Sequence, residues 1–261
     1  MKMLRDRFWI WGHPKNCFYE LGVTDRESDK SYCDGMEYLG AKNIFFVPMD
    51  FKVDKEKETA LAKNVAELGW SINCAAAHPE NVTEIAELKK KYANIRIGIF
   101  DDFFNEENKA NNYHLYTPEK MAEFREELHR AGLEMWMVLY TKNFSVGMDV
   151  VKSFIKEFDG ISFWFWERTS HEDIDRNIDI FLELAKEKKK LVGCYLYDFD
   201  KSAPTDSEIV LYQLDKYKEL IKKNEIEGVI LHTNGVIAKG EQYEAVAAAR
   251  DWMQKNGDEE I

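Results

Sequence analysis

Residues 8–16 read Phe8-Trp9-Ile10-Trp11-Gly12-His13-Pro14-Lys15-Asn16. The run Phe8–His13 is rich in aromatic and branched apolar residues, the signature of a strand. In an open dinucleotide-binding sheet, the turn after this first strand carries a glycine-rich loop whose backbone amides cradle a pyrophosphate. Here the turn is Gly12-His13-Pro14-Lys15-Asn16, and the next glycine is Gly22. The first turn thus speaks against a doubly wound sheet, and the rest of the chain has to supply the alternative.

Seven more strand-like runs follow: 43–50, 70–78, 95–103, 133–142, 160–167, 190–198 and 229–234. Helical stretches alternate with them near 28–40, 55–68, 81–92, 117–131, 146–158, 172–189, 206–224 and 240–256. Phe181, Leu184 and Ala185 are spaced for one buried stripe, as are Leu211, Leu214, Tyr217 and Leu220. Thr117-Pro118 and Ser170 with Asp173 read as helix starts, and Gly69 and Gly132 as helix stops. Eight strand-then-helix units of roughly 30 residues predict the α/β class and a single (β/α)₈ TIM barrel spanning 1–261. No low-complexity linker divides the chain.

The bulk composition narrows the function classes. A net charge of -12 and a pI near 5.1 disfavour nucleic acid and anionic membrane surfaces as partners. The lysine clusters 89–91 and 188–190 are each expected at a helix end, where cations complement the dipole. No signal peptide or membrane span is visible, so a cytoplasmic location is expected. Four cysteines without a CxxC pair fit reduced thiols, and thiolate zinc is not expected.

A barrel of this kind builds its site from the residues that end its strands. Those ends read Trp11 and His13; Met49 and Asp50; Ala77 and His78; Asp101, Asp102 and Phe103; Tyr140 and Lys142; Trp164, Trp166 and Glu167; Tyr195, Tyr197 and Asp198; His232 and Asn234. Aromatic faces suit the apolar side of a pyranose, and paired carboxyl groups suit an oxocarbenium-like transition state. Asp102 or Asp101 with Glu167 is the expected catalytic pair, with Asp198 in reserve. The expected substrate contacts are Trp11, His13, Tyr140, Lys142, Trp166, Tyr197, His232 and Asn234.

Bland readings stand beside these. One aspartate of the Asp101-Asp102 pair can cap the following loop, and Glu167 beside Arg168 can be a rim ion pair. Trp9, Trp136 and Trp164 are expected in the packing. His13, His78 and His232 would need Asp50 or Asp102 to hold a metal, and no HxH or HExxH spacing supports one, so neither metal nor cofactor is expected. His114, His129 and His171 are expected at the surface. The polar segment 105–116, with Asn111, Asn112 and Tyr113, is long enough to be a substrate loop.

The runs at 9–13 and 99–104 and the aromatic end of strand six resemble uncharacterised glycoside-hydrolase-like barrel proteins. The Asp-Asp pair is also similar to that of glycosidases acting on N-acetylhexosaminides. That resemblance implies Asp101 steadying an acetamide and Asp102 as general acid. A carboxylate after strand four and another after strand six is similar to α-galactosidase-type barrels, where the former is the nucleophile and the latter the acid. The function expected is a glycoside-hydrolase-like enzyme acting on a small-molecule or oligosaccharide substrate. Two alternatives stay open: a metal-dependent isomerase or epimerase resembling xylose isomerase, using Asp102, Glu167, Asp198 and His232, and a carbohydrate-binding barrel without catalysis. Phosphorylated substrates gain no support, since strands seven and eight end without a glycine-rich cradle.

Overall fold

The computed structural model describes residues 2–49, 51–73, 78–104, 112–166 and 170–261. Eight parallel strands close into a barrel: β1 (Phe8–Gly12), β2 (Asn43–Phe46), β3 (Glu67–Asn73), β4 (Ile95–Phe100), β5 (Glu134–Tyr140), β6 (Gly160–Trp164), β7 (Lys189–Tyr195) and β8 (Gly228–His232). Each pairs with its sequence neighbours, and β1 closes the ring on β8. The helices between them are α1 (Tyr32–Leu39), α2 (Lys55–Leu61), α3 (Glu80–Lys91), α4 (Pro118–Arg130), α5 (Met148–Ile155), α6 (His171–Leu184), α7 (Ser207–Lys222) and α8 (Glu244–Asn256). No described helix is long and apolar enough to cross a membrane.

The helix starts follow the sequence signals. Thr117 accepts from the Lys120 amide ahead of Pro118, and Ser170 with Asp173 forms a reciprocal capping box. Lys89, Lys90 and Lys91 occupy the last turn of α3, as expected. The second lysine cluster does not sit at a helix end: α6 stops at Leu184, and Lys189 and Lys190 open β7. On α7, Leu211 is exposed, and Val210, Gln213, Leu214, Tyr217, Leu220 and Ile221 make the buried face.

Strand alternation divides the apolar residues into two cores. Phe8, Ile10, Phe46, Trp70, Phe100 and Phe163 belong to the core shared with the helices. Trp9 and Trp11, Phe45 and Val47, Ile97 and Ile99, and Trp136, Val138 and Tyr140 alternate with these and fill the barrel interior. Rings too large for a small barrel fit because glycine stands opposite them. A Cβ on Gly160 would lie 2.2 Å from the Trp136 indole, and one on Gly193 would lie 1.9 Å from that of Trp164. The same logic corrects Gly69, expected as a helix stop. It lies inside β3 beneath the Phe45 ring.

Candidate functional site

The interior residues continue, two at a time, beyond the ladders: 9 and 11 to His13, 45 and 47 to Met49, 97 and 99 to Asp101, 164 to Trp166. At the C-terminal mouth they enclose a cavity with Trp11, His13, Asp101, Asp102, Tyr140, Trp164, Trp166, Tyr195 and His232 in its wall, and Phe18, Val23, Met49 and Phe199 also line it. The register sets Trp11 beside His232, His232 beside Tyr195, and Tyr140 beside Trp164.

Both aspartates reach this cavity because β4 has already ended. Asp101 is only 6% exposed and keeps the inward direction, while Asp102 adopts a left-handed backbone (φ +48°) and turns the chain. The Asp101 carboxylate accepts from the Asp102 amide at 2.9 Å and from the Tyr140 hydroxyl at 3.2 Å, which fixes its orientation. The Tyr195 hydroxyl joins the group through Tyr140. Burial, reinforced by the charges of Asp101 and Asp102, pushes the Tyr195 phenol well above its ordinary range, so it remains a donor. The result is two carboxylates backed by two tyrosines in an aromatic enclosure.

Two histidines form the opposite side of the cavity. The His13 amide donates to Asn234 Oδ1 at 2.8 Å, and Asn234 Nδ2 donates back to the His13 carbonyl at 3.2 Å and to the Lys30 carbonyl at 3.0 Å. The His13 ring donates from Nδ1 to the Val47 carbonyl at 2.8 Å. Burial pushes its imidazole down to about 4 against that hydrogen bond. His232 packs against Tyr195, Phe199 and Trp164, with ring centroids 4.9, 4.7 and 5.7 Å away, and burial, then the neighbouring His13, holds it well below the usual imidazole range. Both rings are neutral at pH 7.

Of the residues expected from sequence, Trp11, His13, Asp101, Asp102, Tyr140, Trp166 and His232 meet in this one cavity. Lys142 stands at its rim, the ammonium 3.7 Å from the centre of the Trp166 ring, so that one face of this indole is already covered. Asn234 is fully buried, and its amide bonds to the backbone of His13 and Lys30, which makes it a clamp holding His13. After β7 the chain turns aside into a small hairpin. Asp198 accepts from the Lys201 amide at 3.0 Å, the Tyr197 hydroxyl donates to the Val23 carbonyl at 3.2 Å, and both residues line a neighbouring cavity. Glu167, Asp50, Ala77 and Asn111 lie outside the described residues.

Trp164, expected as packing, is both packing and cavity wall. Tyr195, a strand end outside the expected contacts, joins the wall together with Phe18 and Phe199. Only the two-residue alternation through Leu191 and Gly193 to Tyr195 pointed inward. His78 is half exposed beside Glu80, outside the cavity, and His171 is partly buried with its ring stacked on Tyr212 at 4.0 Å, not a plain surface residue. Among the described residues no group of three or more histidines, cysteines or carboxylates is placed to hold a metal ion.

No family model and no curated protein sequence matches the chain. Solved structures match over nearly its whole length. A protein from Bacteroides thetaiotaomicron described as an α-L-fucosidase has a TM-score of 0.61 at 9% identity, covering 99% of this chain and 98% of that one. A family 18 chitinase from Crocus vernus gives 0.54 at 12%, covering 95% and 97%. The α-subunit of tryptophan synthase from Pyrococcus furiosus gives 0.53 at 12%, covering 97% and 98%. The shared feature is the TIM barrel.

Proposed function

We propose that residues 1–261 form a single barrel domain that hydrolyses the glycosidic bond of a neutral sugar held in the cavity at the strand ends. The observation that carries this reading is the pairing of Asp101 and Asp102 in one aromatic cavity, with Tyr140 fixing the first of them. Asp102 exchanges a proton with the departing or attacking oxygen, and Asp101 steadies the charge that develops on the sugar. Glu167, next in sequence after Trp166, is the further carboxyl group that we propose acts with Asp102. Trp11 and the uncovered side of Trp166 offer apolar faces to the ring. Barrels described as an α-L-fucosidase and a chitinase share the scaffold, which is compatible with the chemistry but does not carry it.

A panel of aryl glycosides tests the proposal. At least one should be hydrolysed, and Asp102→Asn, Asp101→Asn and Glu167→Gln should each lower turnover by about 10²–10⁴-fold. Turnover that survives all three changes overturns the mechanism. Saccharide binding without turnover in the native protein would instead identify a carbohydrate-binding barrel.

A further inference from the structure

We propose that His13 and His232 form a hydroxyl-binding subsite in the wall of the cavity, in which His13 is a fixed hydrogen-bond acceptor that a sugar hydroxyl must satisfy. This inference rests on the sugar reading above. It starts from the Val47 carbonyl, 2.8 Å from His13 Nδ1. A carbonyl oxygen only accepts, so Nδ1 carries the ring proton and Nε2 is left as a bare lone pair. Nε2 is buried without a hydrogen-bond partner among the described protein groups, in a residue 2% exposed. His232, 8% exposed, leaves its Nδ1 in the same condition, and the two ring centroids are 5.4 Å apart.

Most buried side-chain polar atoms of folded proteins are paired, and both rings line the cavity. What sets these two atoms apart is that both belong to rings in the wall of one cavity, and the partner assigned to them is a ligand group. Its chemistry follows from the wall. Among the described residues, the charged groups that line the cavity are Asp101 and Asp102, and beside the two histidines the remainder is aromatic or apolar. A carboxylate or phosphate would meet like charge and an acceptor that cannot donate to it. The group must donate, which leaves a hydroxyl of a neutral sugar or an ammonium. The assignment goes to the hydroxyl because it can accept from His232 while it donates to His13 Nε2, which an ammonium cannot do.

The test uses the full chain. Nitrogen-15 spectra of the histidine side chains at pH 7 report the tautomer directly, and His13 should show a protonated Nδ1 and a bare Nε2. D-glucose, D-galactose, D-mannose, L-fucose, N-acetyl-D-glucosamine and D-galactosamine are then titrated, read by the fluorescence of the cavity tryptophans. A neutral sugar should bind and shift the His13 Nε2 resonance, and His13→Phe should weaken it by about tenfold or more. His13→Gln, which keeps an acceptor, should recover part of the loss. A protonated Nε2 in the native protein overturns the inference even if no variant folds. Sugar binding that His13→Phe leaves unchanged also overturns it while the hydrolase reading stands. Binding of D-galactosamine alone would make the donor an ammonium and refute the hydroxyl assignment. Failure of the whole panel to bind overturns the subsite, while the hydrolase reading is decided separately by the aryl glycosides.

Discussion

Gly193→Ala is the sharpest test of how the barrel interior supports the cavity. The added methyl group would lie 1.9 Å from Trp164 Cε3 and 2.1 Å from Cδ2, where ordinary contact begins near 3.4 Å. The indole is held on several sides. It is 1% exposed, its Nε1–H donates to Ser162 Oγ at 3.1 Å, and its ring is wedged against Trp11 at 5.4 Å, Tyr195 at 5.1 Å and His232 at 5.7 Å. Overpacking of a dense core costs about 1–3 kcal/mol, and loosening the Ser162 bond adds about 1 kcal/mol. A total near 3 kcal/mol should lower Tm by roughly 6–12 °C in a chain of this size. Urea unfolding followed by fluorescence gives the free energy, and repeating it in a Trp164→Leu background isolates the clash. There Gly193→Ala should cost well under 1 kcal/mol, because the space is already free. A native-background loss below about 0.5 kcal/mol, or the same loss in both backgrounds, would refute the interlock.

Two further outcomes follow from the His13 environment. Asn234→Ala removes the clamp and leaves the His13 amide and the His13 and Lys30 carbonyls unpaired in a buried place, so about 2–4 kcal/mol of stability should be lost in urea titration; a negligible change would deny the clamp. His13 is pushed down to about 4 from the ordinary 6.5, so the unfolded chain binds the proton first as pH falls. Stability should be full above pH 6.5 and decline towards pH 4, by about 3 kcal/mol from this group, with His232 acting in the same direction. Unfolding free energies measured across that window should flatten in His13→Phe; an unaltered slope would mean that His13 is not held neutral.

The sequence by itself determined the eight units, their order and the strand ends that meet at the candidate cavity. Those are local properties: the alternation of strands, the spacing of helix stripes and cap signals such as Thr117-Pro118 survive in any context. It also placed Asp101, Asp102, Tyr140, His13 and His232 among the candidates, since each ends a strand. Tertiary structure decided what happens once a ladder stops. Whether the chain keeps its direction, as from Trp164 to Trp166, or turns into a hairpin, as at Tyr197 and Asp198, depends on what the next layer packs against it. The same closure of β8 on β1 made Asn234 a clamp on His13, and the Phe45 ring turned Gly69 from a helix stop into a strand residue. Contacts between residues as far apart as His13 and Asn234 leave no periodic trace in the sequence, and only the closed ring brings them together.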